Sequence, residues 1–310
     1  MVVEASALSL EFQNGRRRHN SPFLKALAGY WALTKPEVNA LVAVTVGIAF
    51  LMASAREPRH FPALILVNVL FGTLMISGGS SALNQYIERR FDARMRRTSR
   101  RPLASGILKP GEAFYFGLLL SATGAVYLAV TVNTLAATLA VVASVSYLLF
   151  YTPLKRITPL CTLVGAFPGA MPPLIGWVAA SGHLQLEGWV LYSLLFLWQF
   201  PHFMAIAWMY REDYERACYR VLPSRSGRIP FMMWQTMLPL LIAIPVCLVP
   251  TFLGYAGRLY AGGAFLLSCL FLYYGARLAI TRTNSAARRL LFASIVYLPA
   301  VLALLMLDRS

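Results

Sequence analysis

Charged residues are scarce in this chain of 310 residues. Asp, Glu, Lys and Arg together make up only 13% of it, whereas apolar residues make up 58% and the mean hydropathy is +0.61. Such a composition is untypical of a soluble protein. Several apolar stretches reach the roughly 20 residues that are needed to cross a hydrocarbon core about 30 Å thick. The sequence therefore predicts a polytopic membrane protein.

Cysteine motifs and targeting signals are also missing. The cysteines have neither CxxC nor any other metal-site spacing, so free, buried thiols are expected at Cys161, Cys218, Cys247 and Cys269. No apolar core of the signal-peptide type follows the basic run GRRRH at residues 15–19, and Glu4 and Glu11 are untypical of a transit peptide. Residues 1–22 are therefore predicted to be a disordered cytoplasmic tail, followed by one membrane domain over residues 23–310.

Acidic residues are few, 12 against 28 Lys and Arg, and the formal net charge is +16. In a soluble protein this excess would suggest nucleic-acid binding. No soluble module is left here to carry that function, so we expect no nucleic-acid partner. The cations are instead expected in the loops of one membrane face.

Nine apolar segments lie along the chain, and each must be helical because lipid offers no partners to backbone polar groups. They cover residues 38–55, 62–88, 112–131, 134–152, 160–180, 186–210, 231–253, 259–280 and 289–307. Their order places 24 of the 28 Lys and Arg on the side that holds the N-terminus. The positive-inside rule then puts the N-terminus in the cytoplasm and the C-terminus outside. The predicted fold is an all-α polytopic bundle of about nine transmembrane helices.

The most unusual stretch is NQYIERRFDARMRRTSRRPLASG, which spans residues 84–106 at the end of the second apolar segment. Asn84, Glu88 and Asp92 recur every four residues, so they share one face of a helix. All three side chains offer oxygen, the ligand atom that Mg²⁺ prefers, and Mg²⁺ held by carboxylates often also binds substrate phosphates. A solvent-exposed helix end, with its acids paired to neighbouring arginines, explains the spacing equally well.

A second acidic cluster, REDYERA at residues 211–217, follows the sixth apolar segment and so lies on the same membrane face. On its own this cluster is more typical of an ordinary charged loop. Two acidic clusters on one face favour a shared metal site, to which Asp213 with Glu212 would contribute from the opposite side.

Several cations on this face are suited to phosphate. Arg97 and Arg101 follow the first acidic cluster, and Lys155 and Arg156 follow the fourth apolar segment. The planar fork of arginine matches phosphate oxygens, while lysine offers a compact charge. The positive-inside rule explains the number of cations here without any such role.

His202 lies in WQFPHF, inside the sixth apolar segment. An ionisable side chain within a membrane span is a candidate functional group. It lies about 16 Å along the helix from Asp213, so it is deeper in the membrane than the acids. Hydrogen bonding to a neighbouring helix is an equally simple role for a single histidine, so ligand, base and packing residue all remain open.

Taken in order, these motifs resemble the UbiA superfamily of membrane prenyltransferases over nearly the whole chain. The first acidic motif is similar to the first Asp-rich motif of that superfamily, and MRRTSRRPL is similar to its protohaem IX farnesyltransferase (haem O synthase) branch. Further similar stretches are LTKPEV (33–38), YTPLKRITP (151–159), GAMPPLIGW (169–177), WQFPHF (198–203) and REDYERA (211–217).

The resemblance implies a UbiA-like bundle in the bacterial inner membrane, surrounded by lipid and enclosing a cavity open to the membrane. It also implies Mg²⁺-dependent transfer of a farnesyl group from farnesyl diphosphate to a vinyl group of haem B. The product, haem O, would serve haem-copper oxidase assembly, with haem A synthase or a terminal oxidase as protein partners.

The family's functional residues fall on positions already singled out. Its catalytic Mg²⁺–diphosphate ligands correspond to Asn84, Glu88, Asp92 and Asp213. The cations that neutralise the leaving diphosphate correspond to Arg97, Arg101, Lys155 and Arg156. His202 corresponds to a residue that would position haem.

Three positions depart from the family pattern. Glu88 stands where Asp is common, but the carboxylate is kept. Cys161 stands where Asn is common, so it is given no role. Cys218 stands where Gly is usual, which leaves the conformation of that turn open.

Two alternative functions are compatible with parts of this pattern. One is a UbiA enzyme with an aromatic acceptor, such as a hydroxybenzoate or a chlorophyll precursor, against which RTSRRPL and WQFPHF argue. The other is a membrane transporter, which the clustering of the acids at one face disfavours.

Overall fold

The structure, a computed structural model, describes residues 22–54, 62–223 and 225–309, and all regular secondary structure within these residues is helical. The helices are α1 Pro22–Leu33, α2 Pro36–Ser54, α3 Ala63–Asp92, α4 Pro110–Thr131, α5 Thr134–Ser146, α6 Thr152–Leu154, α7 Cys161–Gly169, α8 Met171–Ser181, α9 Leu186–Met209, α10 Arg211–Arg216, α11 Arg225–Phe252, α12 Arg258–Thr281 and α13 Asn284–Leu307. The predicted tail lies outside the described residues, apart from Pro22 at the start of α1.

Nine helical spans among the described residues are long and apolar enough to cross a membrane, which confirms the predicted helical bundle. Two of them are composite, because α5 and α6 form one span and α7 and α8 form another. The short helix α1 was not predicted. Its exposed Phe23, Leu27 and Trp31 fall four residues apart and form one apolar stripe, as in helices that lie along a membrane surface.

Prolines interrupt the two composite spans. Between α5 and α6, residues Tyr147–Tyr151 form a π-helical turn in which the N–H of Thr152 donates to the carbonyl of Tyr147. Pro153 explains the wider turn, because its ring would clash with a carbonyl in a regular α-helix. Pro172 and Pro173 open α8 just after the break at Ala170. Both interruptions fall in motifs that carry the family resemblance.

Small residues let neighbouring helices approach closely. A Cβ atom on Gly79 of α3 would lie 2.6 Å from the carbonyl oxygen of Gly117 on α4. A Cβ atom on Gly176 of α8 would collide with the carbonyl of Val46 on α2. These contacts are typical of membrane helices, whose association depends on close backbone packing rather than on the hydrophobic effect.

Three connections meet at the membrane face where α3 ends. The loop after α3, the loop after α6 and the segment around α10 are joined there by hydrogen bonds, including one of 2.7 Å from the N–H of Arg220 to the carbonyl of Lys155. Phe91 at the end of α3 also packs against Tyr219, with ring centroids 5.5 Å apart. These connections surround the candidate site.

Candidate functional site

The last turns of α3 present a buried polar face. Asn84, Glu88 and Asp92 are only 1%, 4% and 1% exposed, although all three are polar or charged. Burial of this extent is incompatible with a solvent-exposed helix end, which was the alternative explanation of their spacing. Charges buried in this way need partners of opposite sign.

Each of these side chains is held by a cation from another part of the chain. Lys155 Nζ lies 2.8 Å from Glu88 Oε1. Arg101 donates to both oxygens of Asp92, at 2.9 and 2.8 Å. Lys35 Nζ donates to Asn84 Oδ1 at 3.1 Å. Three separate segments therefore converge on one helix face, two of them with residues that the sequence had indicated.

The π-helical turn before α6 brings two of these partners into place. Thr152, which is fully buried, donates to the carbonyl of Tyr147 at 2.8 Å and accepts from Asn84 Nδ2 at 3.1 Å. Lys155 follows one turn later, with its ammonium 4.5 Å from the centre of the Tyr151 ring. Burial acts to lower the pKa of Lys155, but the Glu88 carboxylate overrides it and the net pKa is raised. Lys155 therefore stays charged.

Lys35 is a site residue that the sequence analysis missed. It lies between α1 and α2 with a φ of +52°, in the left-handed region that non-glycine residues seldom adopt. Burial, together with the charges of Arg101 and Lys155, lowers the pKa of Lys35 to about 7. The sequence feature that could have indicated Lys35 is the motif LTKPEV, in which this lysine directly precedes the proline that starts α2.

The second acidic cluster contributes one buried residue. Asp213 on α10 is 7% exposed, pairs with Arg216 at 2.5 Å and accepts a 3.4 Å hydrogen bond from the backbone N–H of Arg97. Its neighbour Glu212 is exposed. The structure thus links Asp213 to the loop after α3, while Glu212 is exposed to solvent. Within the described residues, no three Asp, Glu, His or Cys side chains meet as a ready metal-binding group.

The remaining predicted cations take different positions. The Arg97 side chain is exposed, lies 4.9 Å from the centre of the Tyr210 ring and donates to the Tyr214 hydroxyl at 3.5 Å. Arg156 lies 4.3 Å from the centre of the Phe91 ring, and its buried Nε has no hydrogen-bond partner among the described residues. A buried donor without a partner is uncommon in native structures, and it suits an acceptor supplied by a ligand.

His202 lies apart from this polar site. Its Nδ1 is 2.8 Å from the hydroxyl of Ser294 on α13, and its ring stacks on Trp198 with centroids 4.8 Å apart. Trp198 Nε1 also donates to the carbonyl of Ser294 at 2.7 Å. Of the roles left open by the sequence, hydrogen bonding to a neighbouring helix is present; a role towards haem stays a prediction.

All four cysteines are free, as expected, and Cys161 and Cys247 are buried; the expectation of burial is wrong for Cys218, which is exposed, and Cys269 is half-buried. Cys218 has a φ of +58°, the left-handed conformation that glycine adopts most easily. The turn therefore has a conformation that suits glycine, the residue that the resemblance implies for this position, although cysteine occupies it here.

Comparison with known proteins gives one consistent result. The model of the UbiA prenyltransferase family matches residues 27–296. A protohaem IX farnesyltransferase of Solibacter usitatus is 45% identical over 286 residues, which cover 90% of this chain and 98% of that protein. The protohaem IX farnesyltransferase of Koribacter versatilis is 41% identical over 293 residues, covering 92% of this chain and 94% of that protein.

Solved structures share the fold. A structure of digeranylgeranylglyceryl phosphate synthase superposes with a TM-score of 0.74 at 19% identity, covering 91% of this chain and 98% of that one. A UbiA homologue from Archaeoglobus fulgidus, bound to GPP and Mg²⁺, gives a TM-score of 0.57 at 15% identity, covering 90% and 99%. At these identities the likeness concerns the arrangement of helices.

Proposed function

The chain belongs to the UbiA prenyltransferase family, and from this premise we propose that it transfers the farnesyl group of farnesyl diphosphate to a vinyl group of haem B. The relatives at 45% and 41% identity are named for that activity and are matched over almost their whole length. The observation that carries the proposal is the buried face of Asn84, Glu88 and Asp92, surrounded by cations from three other segments.

The buried oxygens at the end of α3 suit Mg²⁺. Asn84, Glu88 and Asp92 would hold the ion, and Asp213 would complete the set from α10; amide and carboxylate oxygens are the ligand atoms that Mg²⁺ prefers. When bound, Mg²⁺ would neutralise part of the charge that diphosphate gains as its bond to farnesyl breaks.

The cations around the acids would bind diphosphate and stabilise it as a leaving group. Lys35, Arg101 and Lys155 already lie on the acidic face, and the unpartnered Nε of Arg156 offers a further donor. When the allylic C–O bond breaks, its electron pair leaves with diphosphate, and preorganised donors lower the energy of that charge. Arg97 would take part only if its side chain left Tyr210 and Tyr214.

The apolar bundle would protect the carbocation from water. The farnesyl cation must survive until the vinyl carbon of haem attacks it, so water has to be excluded at this stage. The new cation on the porphyrin side then takes a water oxygen and releases a proton, which gives a hydroxyalkyl product. His202, half-buried on α9, would position the haem.

The same reasoning gives the location. We expect the polar site to lie on the cytoplasmic side of the inner membrane. The order of the spans places 24 of the 28 Lys and Arg on this side, as the positive-inside rule requires of the cytoplasmic face. Haem A synthase and a terminal oxidase remain expected partners on the strength of the resemblance.

The proposal is tested with the purified full chain in detergent, supplied with farnesyl diphosphate, haem B and Mg²⁺. We expect a farnesylated haem, detected by liquid chromatography and mass spectrometry, that disappears with EDTA and returns with excess Mg²⁺. Asp92→Asn should abolish it, while the control Glu212→Gln, an exposed acid of the second cluster, should retain it. A folded protein that prenylates a hydroxybenzoate instead would overturn the proposal. The proposal would also be overturned if folded wild type and Asp92→Asn alike made no farnesylated haem.

A further inference from the structure

A cavity of about 330 Å³ opens between α12 and α13, away from the polar site. None of the residues that line it belongs to the group around Asn84, Glu88 and Asp92. The helix α12 packs on α11 and α13, and α13 packs on α9 and α12, so the cavity lies at the outer side of the bundle. The catalytic proposal does not use this cavity.

The cavity is open towards the surrounding lipid. Three of its lining side chains, Leu270, Phe292 and Val296, are 50%, 69% and 47% exposed, although all three lie within membrane spans. Buried Phe271 and Tyr297 form part of its inner wall. An apolar groove in this position is accessible from the bilayer rather than from water.

Two arginines lie at one end of the groove. Arg288 and Arg289 follow the start of α13, on the membrane face where α3 also ends, and both are exposed. Neither makes a hydrogen bond or ion pair with a residue in the described ranges, and no acidic side chain lines the groove. Tyr274 of α12 is also part of the lining. The planar fork of arginine matches phosphate oxygens, whereas an apolar groove beside it matches a hydrocarbon chain.

We propose that this groove binds an anionic phospholipid of the adjacent leaflet. Its phosphate would contact Arg288 and Arg289, and one acyl chain would lie between α12 and α13. From Arg289 to Val296 the groove runs about 10 Å along α13, which fits the upper part of an acyl chain. Farnesyl diphosphate is also an anionic amphiphile, but the groove has no carboxylates for the metal that such a diphosphate requires.

The test measures lipid binding to the delipidated full chain by native mass spectrometry, with phosphatidylglycerol and phosphatidylcholine of the same acyl chains. We expect phosphatidylglycerol to bind wild type more tightly than phosphatidylcholine. Arg288→Gln/Arg289→Gln should weaken phosphatidylglycerol about thirtyfold, roughly fivefold for each guanidinium. Ala293→Trp, which fills the groove without changing the charge, should weaken both lipids.

The matched control is Arg96→Gln/Arg100→Gln, which removes two exposed arginines from the same membrane face. It should bind phosphatidylglycerol like wild type. Equal loss in both double variants would show general attraction to a basic surface and overturn the proposal. So would wild-type binding by Ala293→Trp, or displacement of the lipid by farnesyl diphosphate without metal. Size-exclusion profiles identify any variant that fails to fold, and the remaining variants still decide the question.

Discussion

The two acidic clusters on the same membrane face both combine carboxylates with arginines, but they differ in how the structure supports them. At the end of α3, Glu88 is paired with Lys155, which lies 67 residues away, and the two side chains are 5% and 13% exposed. On α10, Asp213 is paired with Arg216 only three residues away, and the arginine is 42% exposed. The Glu88–Lys155 pair therefore depends on the tertiary fold and is shielded from solvent. The Asp213–Arg216 pair is formed within one helix, and its arginine is partly exposed to solvent.

This difference has energetic consequences. Removing one partner of a buried ion pair leaves an uncompensated charge, which is strongly destabilising, whereas a local pair whose cation is largely exposed contributes less. We therefore expect the α3 cluster to be a rigid part of the site and the α10 cluster to be adjustable. The following variants test that contrast, from the largest expected effect to the smallest.

Asp92→Asn should lower the rate of farnesyl transfer about a thousandfold, because it removes one charged group from the centre of the proposed metal and diphosphate site. Stability should change little, since the released Arg101 side chain is 26% exposed and can reach water. Steady-state kinetics and thermal unfolding of the same preparation measure both effects. A loss no greater than that of Asp213→Asn would remove the distinction between the clusters.

Lys155→Met should lower the free energy of unfolding by about 3 kcal/mol, because Glu88 is left buried without a partner. The comparison is Arg216→Met, which should cost less, because Arg216 is 42% exposed and Asp213 keeps the hydrogen bond from the N–H of Arg97. Unfolding in SDS micelles provides the measurement. The double variant Lys155→Met/Glu88→Gln should recover most of the loss; if it does not, Lys155 acts through packing rather than through the ion pair.

Asp213→Asn should lower activity roughly 10–100-fold, the range typical of a residue that supports a metal site from its edge. The matched control Glu212→Gln should leave activity unchanged, because that side chain is exposed and one residue away. The dependence of the rate on Mg²⁺ concentration is the measurement that separates binding from turnover. Equal loss in both variants would point to the net charge of α10 instead.

At pH 6, where Lys35 with its pKa of about 7 is mostly protonated, Lys35→Gln should raise the KM for farnesyl diphosphate about tenfold, because one charge-assisted hydrogen bond to the diphosphate is lost. Lys35→Arg, which keeps the charge, should recover part of that affinity. Titration with an unreactive farnesyl thiodiphosphate measures binding directly. An unchanged KM in Lys35→Gln would limit Lys35 to its hydrogen bond with Asn84.

Most of the helical architecture was predictable from composition. The predicted segment 186–210 matches α9, Leu186–Met209, and the ends of the other spans agree to within six residues, because lipid allows only closed backbone hydrogen bonding. The helix α1 was missed because its 12 residues are too short for a membrane span.

The relative placement of the candidate residues was predictable where helical periodicity applies. Asn84, Glu88 and Asp92 share one face as predicted, because four-residue spacing holds throughout α3. Arg97 and Arg101 were given the same expected role, yet Arg101 contacts Asp92 while Arg97 contacts Tyr210 and Tyr214. Both arginines lie in the turns after α3. Outside a regular helix, the position of a residue in the sequence does not fix the direction of its side chain.

The sequence by itself determined the number and order of the membrane spans, the face that carries the charges and the family. These properties depend on hydropathy, loop charge and motif order, all of which can be read locally along the chain. Only the tertiary structure decided which cation meets which acid and that Lys35 belongs to the site. Lys35 and Asn84 are 49 positions apart in the sequence, and Glu88 and Lys155 are 67 apart. Such residues meet only when the packing of the helices brings their segments together.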